Sequence, residues 1–405
     1  MRLFIHALVL ALCTCRMAAG QGSLSLQEAI DIALHHNPDL LAAGYEVEAA
    51  KAGERGARSL ANPEIALAPA ITGVEGSDEE LSVTQPLEIN GERALRARIA
   101  GAESQAVQAS RRSAERQVIR SVKEAYWDAV QAQNVVELDQ GNVEFLETMA
   151  QAAERQVDVG AAPGAQRIKA QVELTRARQD LLRSESELAE ARASINVLMG
   201  RDAESPFEPS DQLRFAPLAL DSTVRNGAGR PELAEAQALL ALRKAEVREI
   251  EVQRRPDVSL QFRQTSLGGE GGAAVAITIP LLDWGSIRQS RKKAEAQVDA
   301  QKHRVEAVEN AIALDVDSAV RQVRLAEALV KDYQQGVLSQ AEQLAEMAQK
   351  GYKTGANSYL EVLEAQRTLR SVKSEYNAAL ADHAKALAQL EWAVGADLPK
   401  GEVTK

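Results

Sequence analysis

Hydrophobic and polar positions along this chain change period at matching places in its two halves. Ser25-Leu26-Gln27-Glu28 is a capping-box pattern, in which a serine and a glutamate three residues on satisfy each other's backbone N–H groups. It predicts a short helix to about His36, and Pro38 opens a second helix to about Ser59; proline is preorganised for a first helical position. After Pro63 the period falls to two. Ile65, Leu67 and Ile71 alternate with Glu64, Ala66 and Ala68. Past a turn-rich loop at Gly73–Asp78, Leu81 and Val83 alternate with Ser82 and Thr84 until Pro86 ends the run. This predicts a strand hairpin over about 64–86. A helical stretch then extends from about Gly91 to Val159, with no proline in it. Gly160 and Pro163-Gly164 mark a sharp turn, and another helix covers about Ala165–Met199.

The second half follows the same plan. A helix runs from Pro231 to about Arg254. One strand sets Val258, Leu260 and Phe262 against Ser259, Gln261 and Arg263. After a loop at Gly268–Gly272, the next sets Val275, Ile277 and Ile279 against Ala274, Ala276 and Thr278, and Pro280 stops it. A long helix is predicted over about Gly285–Tyr352, a turn at Gly355, and a last helix over Ser358–Val394. That helix carries a seam of Val362, Leu369, Tyr376, His383 and Leu390 beside a row of Leu380, Leu387 and Val394, which is coiled-coil spacing.

Short motifs fix the duplication. Asn37-Pro38-Asp39 returns as Arg230-Pro231-Glu232, and Asn62-Pro63-Glu64 as Arg255-Pro256-Asp257. Gln85-Pro86-Leu87 returns as Ile279-Pro280-Leu281, Val159-Gly160-Ala161 as Thr354-Gly355-Ala356, and Leu198-Met199-Gly200 as Ala393-Val394-Gly395. The offset drifts only from 193 to 195 residues, too long for a solenoid unit. The expected division is a leader at 1–20, a first repeat at 21–200, a linker at 201–221, a second repeat at 222–396 and a tail at 397–405.

Composition sharpens this picture. Aromatic residues are only 3% of a chain that is 45% hydrophobic, which favours small side chains at close-packed helix interfaces over a large globular core. The formal net charge of −11 argues against a nucleic-acid partner. Residues 1–20 read as an export signal: Arg2, an apolar run from Leu3 to Leu12, and small residues at Ala18 and Gly20. Cys13 and Cys15 lie inside it, so the exported chain is expected to have no cysteine; a lipid-modified cysteine is the lesser alternative. No later stretch is apolar enough for a transmembrane helix.

The strands, each of about 8–10 residues, are apolar on one side and small or polar on the other, as membrane barrel strands are. Four strands cannot close a barrel, and open edges cannot face lipid. Either several copies share one barrel, or the hairpins are ribbons of a soluble periplasmic coiled-coil scaffold. Two copies would give eight strands with a filled interior, whereas three would give twelve and a lumen. A helix of roughly 68 residues would be about 100 Å long.

These residues resemble the outer-membrane efflux family typified by TolC, over essentially the whole exported chain. Leu26, Ala29, Ala33, Asn37 and Pro38 carry one family pattern. Gln85-Pro86-Leu87-Glu88, followed by Gly91 and Arg93, is similar to the branch that serves cobalt–zinc–cadmium efflux pumps. The resemblance implies mixed α and membrane-β architecture: a homotrimer with a twelve-stranded outer-membrane barrel and a long antiparallel helical tunnel in the periplasm. It implies docking on a periplasmic adaptor and a proton-driven inner-membrane pump, with short helices stacked end to end beside the long ones. The implied role is a passive conduit for divalent heavy metals, with drug efflux or type I secretion as alternatives.

Family channels close at the periplasmic tip, where acidic residues gather. Glu361 and Glu364 match those acids and share one helical face. Across three chains they would form a cation-attracting ring of six carboxylates. The same places in the first repeat hold Gln166 and Lys169. An arginine usual before the acids is Asn357 here. The two glutamates also read as ordinary solvated helix residues. Gly160 and Gly355 mark the candidate adaptor-contact tips, a reading compatible with plain C-capping. Neither catalytic residues nor a cofactor site are expected. The histidines His6, His35, His36, His303 and His383 and the scattered methionines do not have metal-site spacing, so no resident metal is expected either.

Overall fold

Helix α1, Leu26–His36, starts where the capping box predicts: Ser25 N–H donates to Glu28 Oε2 at 2.9 Å and Glu28 N–H to Ser25 Oγ at 3.3 Å. Its last turn holds His35 and His36, whose ring Nδ1 atoms donate to the carbonyls of Asp31 and Ile32. The computed structural model describes residues 22–68, 80–218, 229–265, 271–279 and 284–398. The export signal with Cys13 and Cys15, the Gly73–Asp78 loop and the stop at Pro280 lie outside those residues.

The remaining helices are α2 (Pro38–Ala57), α3 (Glu92–Asp158), α4 (Gly164–Leu198), α5 (Pro231–Val252), α6 (Ser286–Asp332), α7 (Leu338–Thr354) and α8 (Tyr359–Val394). Strands β1 (Ser23–Leu24) and β4 (Glu208–Pro209) form a small parallel pair, while β2 (Glu64–Ala68), β3 (Glu80–Leu87), β5 (Asp257–Thr265) and β6 (Gly271–Thr278) form one antiparallel sheet in the order β2-β3-β5-β6. The two hairpins are therefore fused, β3 pairing with β5 across the halves.

The 67 residues of α3 make a pillar about 100 Å long. The short helices flank it in stacked pairs, with α4 continuing the line of α2 and α8 that of α5. Both joints are built alike. Asn37 Nδ2 donates to Leu198 O at 2.9 Å, and its counterpart Arg230 donates through Nη1 to Ala393 O at 3.4 Å. The buried Arg230 guanidinium also lies 3.9 Å over the Trp392 ring and 2.9 Å from Glu232. Gly200 and Gly395 end α4 and α8 with φ of +67° and +75°. A Cβ on Gly200 would stand 2.2 Å from His36 O, so only glycine fits there. At the joint on the first half, the buried Tyr126 hydroxyl lies 2.8 Å from Leu24 O and 2.9 Å from Asp211 Oδ2.

Three expectations need correction. The long helix of the second half is not continuous: a π-helical turn at Tyr333–Val337 separates α6 from α7, and Leu338 N–H donates to Tyr333 O five residues back. This turn absorbs one extra residue. Buried Val118, Val122, Tyr126, Ala129 and Val136 of α3 match buried Ile312, Val316, Val320, Val323 and Val330 at an offset of 194. Beyond the turn, buried Leu146 and Ala153 match Ala341 and Ala348 at 195. The register change falls at the turn. Second, Pro86 does not end β3 but lies inside it, opposite Ser259. Pairing with β2 stops at Thr84, so the missing N–H falls where one neighbour only remains. Third, Gly271 and Gly272 belong to β6 rather than to the loop. The Phe262 ring reaches over Gly271, where a Cβ would come within 3.0 Å of it; the glycine is a seat for an aromatic ring.

Candidate channel wall and gate

Residues directly opposite each other in a sheet share a face. The register puts Ile65, Val83, Phe262 and Ala273 in one row, Gln85, Leu260 and Val275 in another, and Leu87, Val258 and Ile277 in a third, all on the same side. The opposite side carries Glu64, Ser82, Thr84, Ser259, Gln261 and Arg263, with Arg263 Nε 2.8 Å from Glu80 Oε1. Among the described residues, no helix covers the apolar side. Ile65, Leu67, Val275 and Ile277 are between 61% and 75% exposed. The outer edges of β2 and β6 have no strand partner among the described residues. In lipid, a sheet of this kind would need further strands at both edges.

The motif Gln85–Arg93 lies where sheet meets pillar. Gln85 Nε2 donates to Ala61 O at 2.8 Å. Arg96 Nη1 and Nη2 grip the two oxygens of Glu88 at 2.5 and 3.3 Å, and the same guanidinium donates to Ala57 O and Ser59 O. Glu88 is thus paired and its side chain is only 7% exposed, which makes the motif a mechanical corner rather than a set of free ligands. Among the described residues, no group of three or more His, Cys, Asp or Glu is placed to hold a metal, and no helix is long and apolar enough to cross a membrane.

Both hairpin tips turn on left-handed glycines, Gly160 at φ +73° and Gly355 at φ +78°. Helix α8 opens with a capping box in which Ser358 N–H donates to Glu361 Oε2 at 2.6 Å. Glu361 is therefore occupied at its own helix end. Glu364, one turn on, lies 3.7 Å from Arg367 Nη1 and is exposed. Within one chain the two acids share a face but do not meet. The tips lean on each other through Gln156, which accepts from Tyr352 OH at 3.2 Å and from Gln166 Nε2 at 3.1 Å. Tyr359 packs beneath, its hydroxyl pushed up to about 12 by burial.

Above the tip an ionic belt ties three helices. Arg370 of α8 reaches Asp139 Oδ1 of α3 through Nη2 at 2.7 Å and Nε at 2.8 Å, and Asp180 of α4 at 3.5 Å. Arg367 Nη2 lies 2.5 Å from Glu173 Oε2. Asp139 is 3% exposed. Sequence reasoning missed this belt. Its one signal is that Asp139 stands on the apolar seam of α3, three residues after Val136 and seven before Leu146. Higher up, His383 of the α8 seam is 1% exposed, 5.1 Å from the Phe215 ring and 4.0 Å from Glu327 Oε1.

Comparison with known proteins fits this geometry. The cobalt-zinc-cadmium resistance protein CzcC of Cupriavidus metallidurans is 27% identical over 366 residues, covering 88% of this chain and 86% of its own. The toluene efflux pump outer membrane protein TtgC of Pseudomonas putida is 25% identical over 390 residues, covering 86% of this chain and 78% of its own. The crystal structure of the Campylobacter jejuni CmeC outer membrane channel superposes with a TM-score of 0.79 at 16% identity, over 93% of this chain and 87% of that one. The family profile described as outer membrane efflux protein matches residues 29–201 and again 227–396. With most of its length matched, and with a wall, pillar and tips that fit the match, this chain belongs to the outer membrane efflux protein family.

Proposed function

We infer that this chain is the outer-membrane channel of a tripartite efflux system, passive in itself. Three copies share one twelve-stranded barrel and continue it as a helical tunnel in the periplasm. The observation that carries this reading is the four-stranded sheet, which among the described residues is apolar and uncovered on one face and open at both edges. The flanking helices support it. Leu41, Tyr45 and Leu182 lie exposed along α2 and α4, and Leu314, Leu325 and Met347 along α6 and α7, which are the two sides a neighbouring copy would cover. The leader at 1–20 is removed on export, and 21–200 and 222–396 act as two structural repeats joined by 201–221 and followed by the tail 397–405.

Energy comes from a proton-driven pump in the inner membrane. An adaptor joins pump to channel and contacts the tips at Gly160 and Gly355. Glu361 and Glu364 form the gate, six carboxylates at one constriction. Divalent heavy-metal cations are the cargo, as supported by the likeness to CzcC and by an acidic chain of net charge −11. The second reading is efflux of organic compounds, favoured by the likeness to TtgC. Deleting the gene decides between them. Loss of zinc, cobalt and cadmium tolerance, restored by the gene on a plasmid, is expected. Unchanged metal tolerance with lost solvent or drug tolerance would reverse the assignment.

A further inference from the structure

The two halves of the chain meet at a corner. The turn between β3 and α3 rests there on the turn between α5 and β5. Asn90 Nδ2 donates to Asp257 Oδ1 at 2.9 Å, and Arg255 Nη1 donates to Asn90 O at 2.7 Å. Each part of this joint has a counterpart. Trp284 stands where Asn90 does, Gly285 for Gly91, Asn62 for Arg255 and Glu64 for Asp257. Among the described residues, Trp284 does not meet Asn62 or Glu64 within the chain. The strands beside them, β6 and β2, are the two outer strands of the sheet. Trp284 is 94% exposed, and Asn62, Pro63 and Glu64 are exposed.

We propose that the Trp284 corner of one copy docks on the Asn62–Glu64 corner of a second copy, repeating between chains the joint that holds the two halves together within one. This rests on the shared-barrel reading and adds the residues at which copies lock and the register in which they do so.

The register can be carried over from the intrachain pairing. Residue 84 pairs with 261 and 85 with 260. Moving β3 forward by 194 residues onto β6, and β5 back by 193 onto β2, sets Thr278 opposite Ala68 and Ile279 opposite Leu67 of the next copy. Ile279 and Leu67 both continue the apolar side, and Thr278 and Ala68 both continue the other. A slip of one residue would invert every side chain. The transferred joint therefore keeps the two faces continuous from chain to chain.

The conformation of Trp284 points the same way. Its φ is +45°, the only left-handed non-glycine among the described residues. Bulky residues hold that region where their surroundings enforce it, yet among the described residues nothing covers this indole. A large aromatic anchor seated in a partner is the usual centre of an interface. Leu60, 64% exposed and two residues before Asn62, offers the apolar seat.

Cysteine crosslinking tests this directly, because the chain has no cysteine beyond Cys15. In Trp284→Cys/Glu64→Cys, mild oxidation of membranes is expected to give a covalent ladder ending at three copies. The control Asn90→Cys/Asp257→Cys reproduces the intrachain joint and is expected to close without a gain in mass. A wild-type trimer by light scattering in detergent, with no ladder from the Trp284 pair, overturns the docking and leaves the shared barrel standing. A wild-type monomer overturns both. Fluorescence gives a second readout that needs no cysteine. The emission lost in Trp284→Phe is expected to resist quenching by brominated phospholipid; strong quenching would place the indole in lipid and reject the docking.

Discussion

The two halves share their turns and joints but differ at mid-pillar. In the first half α3 passes this level as an unbroken helix, fixed to α8 by the buried Asp139–Arg370 pair. In the second half the π-turn at Tyr333–Val337 spans the same level, held to α8 by exposed hydrogen bonds. Tyr333 OH donates to Glu375 Oε2 at 3.0 Å, and Gln334 Nε2 donates to Tyr376 OH at 3.0 Å. Below it, Glu361 and Glu364 of the second hairpin stand where the first has Gln166 and Lys169, whose own tip acid, Asp158, ends α3 instead, 3.7 Å from Arg167 Nη1. The glycines that turn the chain are kept in both halves, whereas the fastening between helices is not. The buried Asp139–Arg370 pair ties α3 across to α8 of the second hairpin, whereas the helix that has taken in an additional residue meets α8 at this level through exposed hydrogen bonds.

Deletions break this comparison most severely. Removing Gly141 from α3 would rotate everything beyond it by about 100°, taking Leu146, Met149 and Ala153 off the seam. The expected cost is about 4 kcal/mol or more, or loss of folded protein. Removing Gly336 should instead convert the π-turn to α-helix and leave the seam aligned, at much smaller cost. Urea unfolding of the two purified variants in detergent checks the ranking. Equal losses would mean that the extra residue is not absorbed at the turn.

Substitution at the ionic belt comes next. Arg370→Ala leaves the Asp139 carboxylate buried without its partner, at a cost of roughly 3 kcal/mol. Lys373→Ala removes an exposed contact, 3.5 Å from Glu342, and is expected to cost less than about 0.5 kcal/mol. Denaturation midpoints of the two variants separate the cases. If they coincide, the first hairpin is not charge-anchored.

The difference between the halves was only partly legible in the sequence. Elements came through where local chemistry agrees with the fold: the Ser25 and Glu28 box, Pro38 and Pro231 at helix starts, Gly160 and Gly355 at tips. The alternation of Ile65, Leu67, Leu260 and Ile277 gave the apolar face. The π-turn did not show, because Gly141 and Gly336 look alike and only one of them accompanies an extra residue. The offset changing from 194 to 195 carried that information without locating it. The partner of Arg370 stayed hidden because charged residues are a quarter of the chain, and spacing along one helix does not say which acid on another lies opposite. Of the site residues, Glu361 had a visible second use, since Ser358 and Glu361 spell a capping box; the ties of Glu364 and Asp139 depend on helices brought together only by the fold.

A buried ring sharpens the comparison through pH. His383 sits where the first half has Leu188. Burial lowers the pKa of His383 below its ordinary 6.5; Glu327 works against that shift and Lys331 adds to it, while the facing Phe215 is neutral. The unfolded chain therefore takes up a proton at this site before the folded chain does. Stability should fall as pH drops below 6.5, by up to about 1.4 kcal/mol per pH unit until the folded site titrates. His383→Leu, which copies the first half, is expected to flatten this part of the profile. Thermal melts between pH 7.5 and 5 compare the two proteins; identical slopes would remove His383 as the cause.

The smallest expected effect on the fold tests the proposed gate. Glutamine can replace glutamate at the third position of a capping box, so Glu361→Gln should keep the start of α8. Glu364→Gln gives up one exposed contact at 3.7 Å. Together they are expected to change stability by less than about 0.5 kcal/mol. Permeation should respond far more, because three chains would lose six negative charges at one narrow place. In planar bilayers the double variant is expected to lose preference for cations over anions, read as a shift of reversal potential toward zero in a salt gradient. The matched control is in the first half, where Gln166→Glu/Lys169→Glu puts acids on the other tip. If those acids restore cation preference to the double variant, both tips line the constriction; if they do not, only the second hairpin closes it. An unchanged reversal potential in the Glu361→Gln/Glu364→Gln channel would return both residues to the role of solvated helix glutamates and leave the asymmetry of the halves without a part in selectivity.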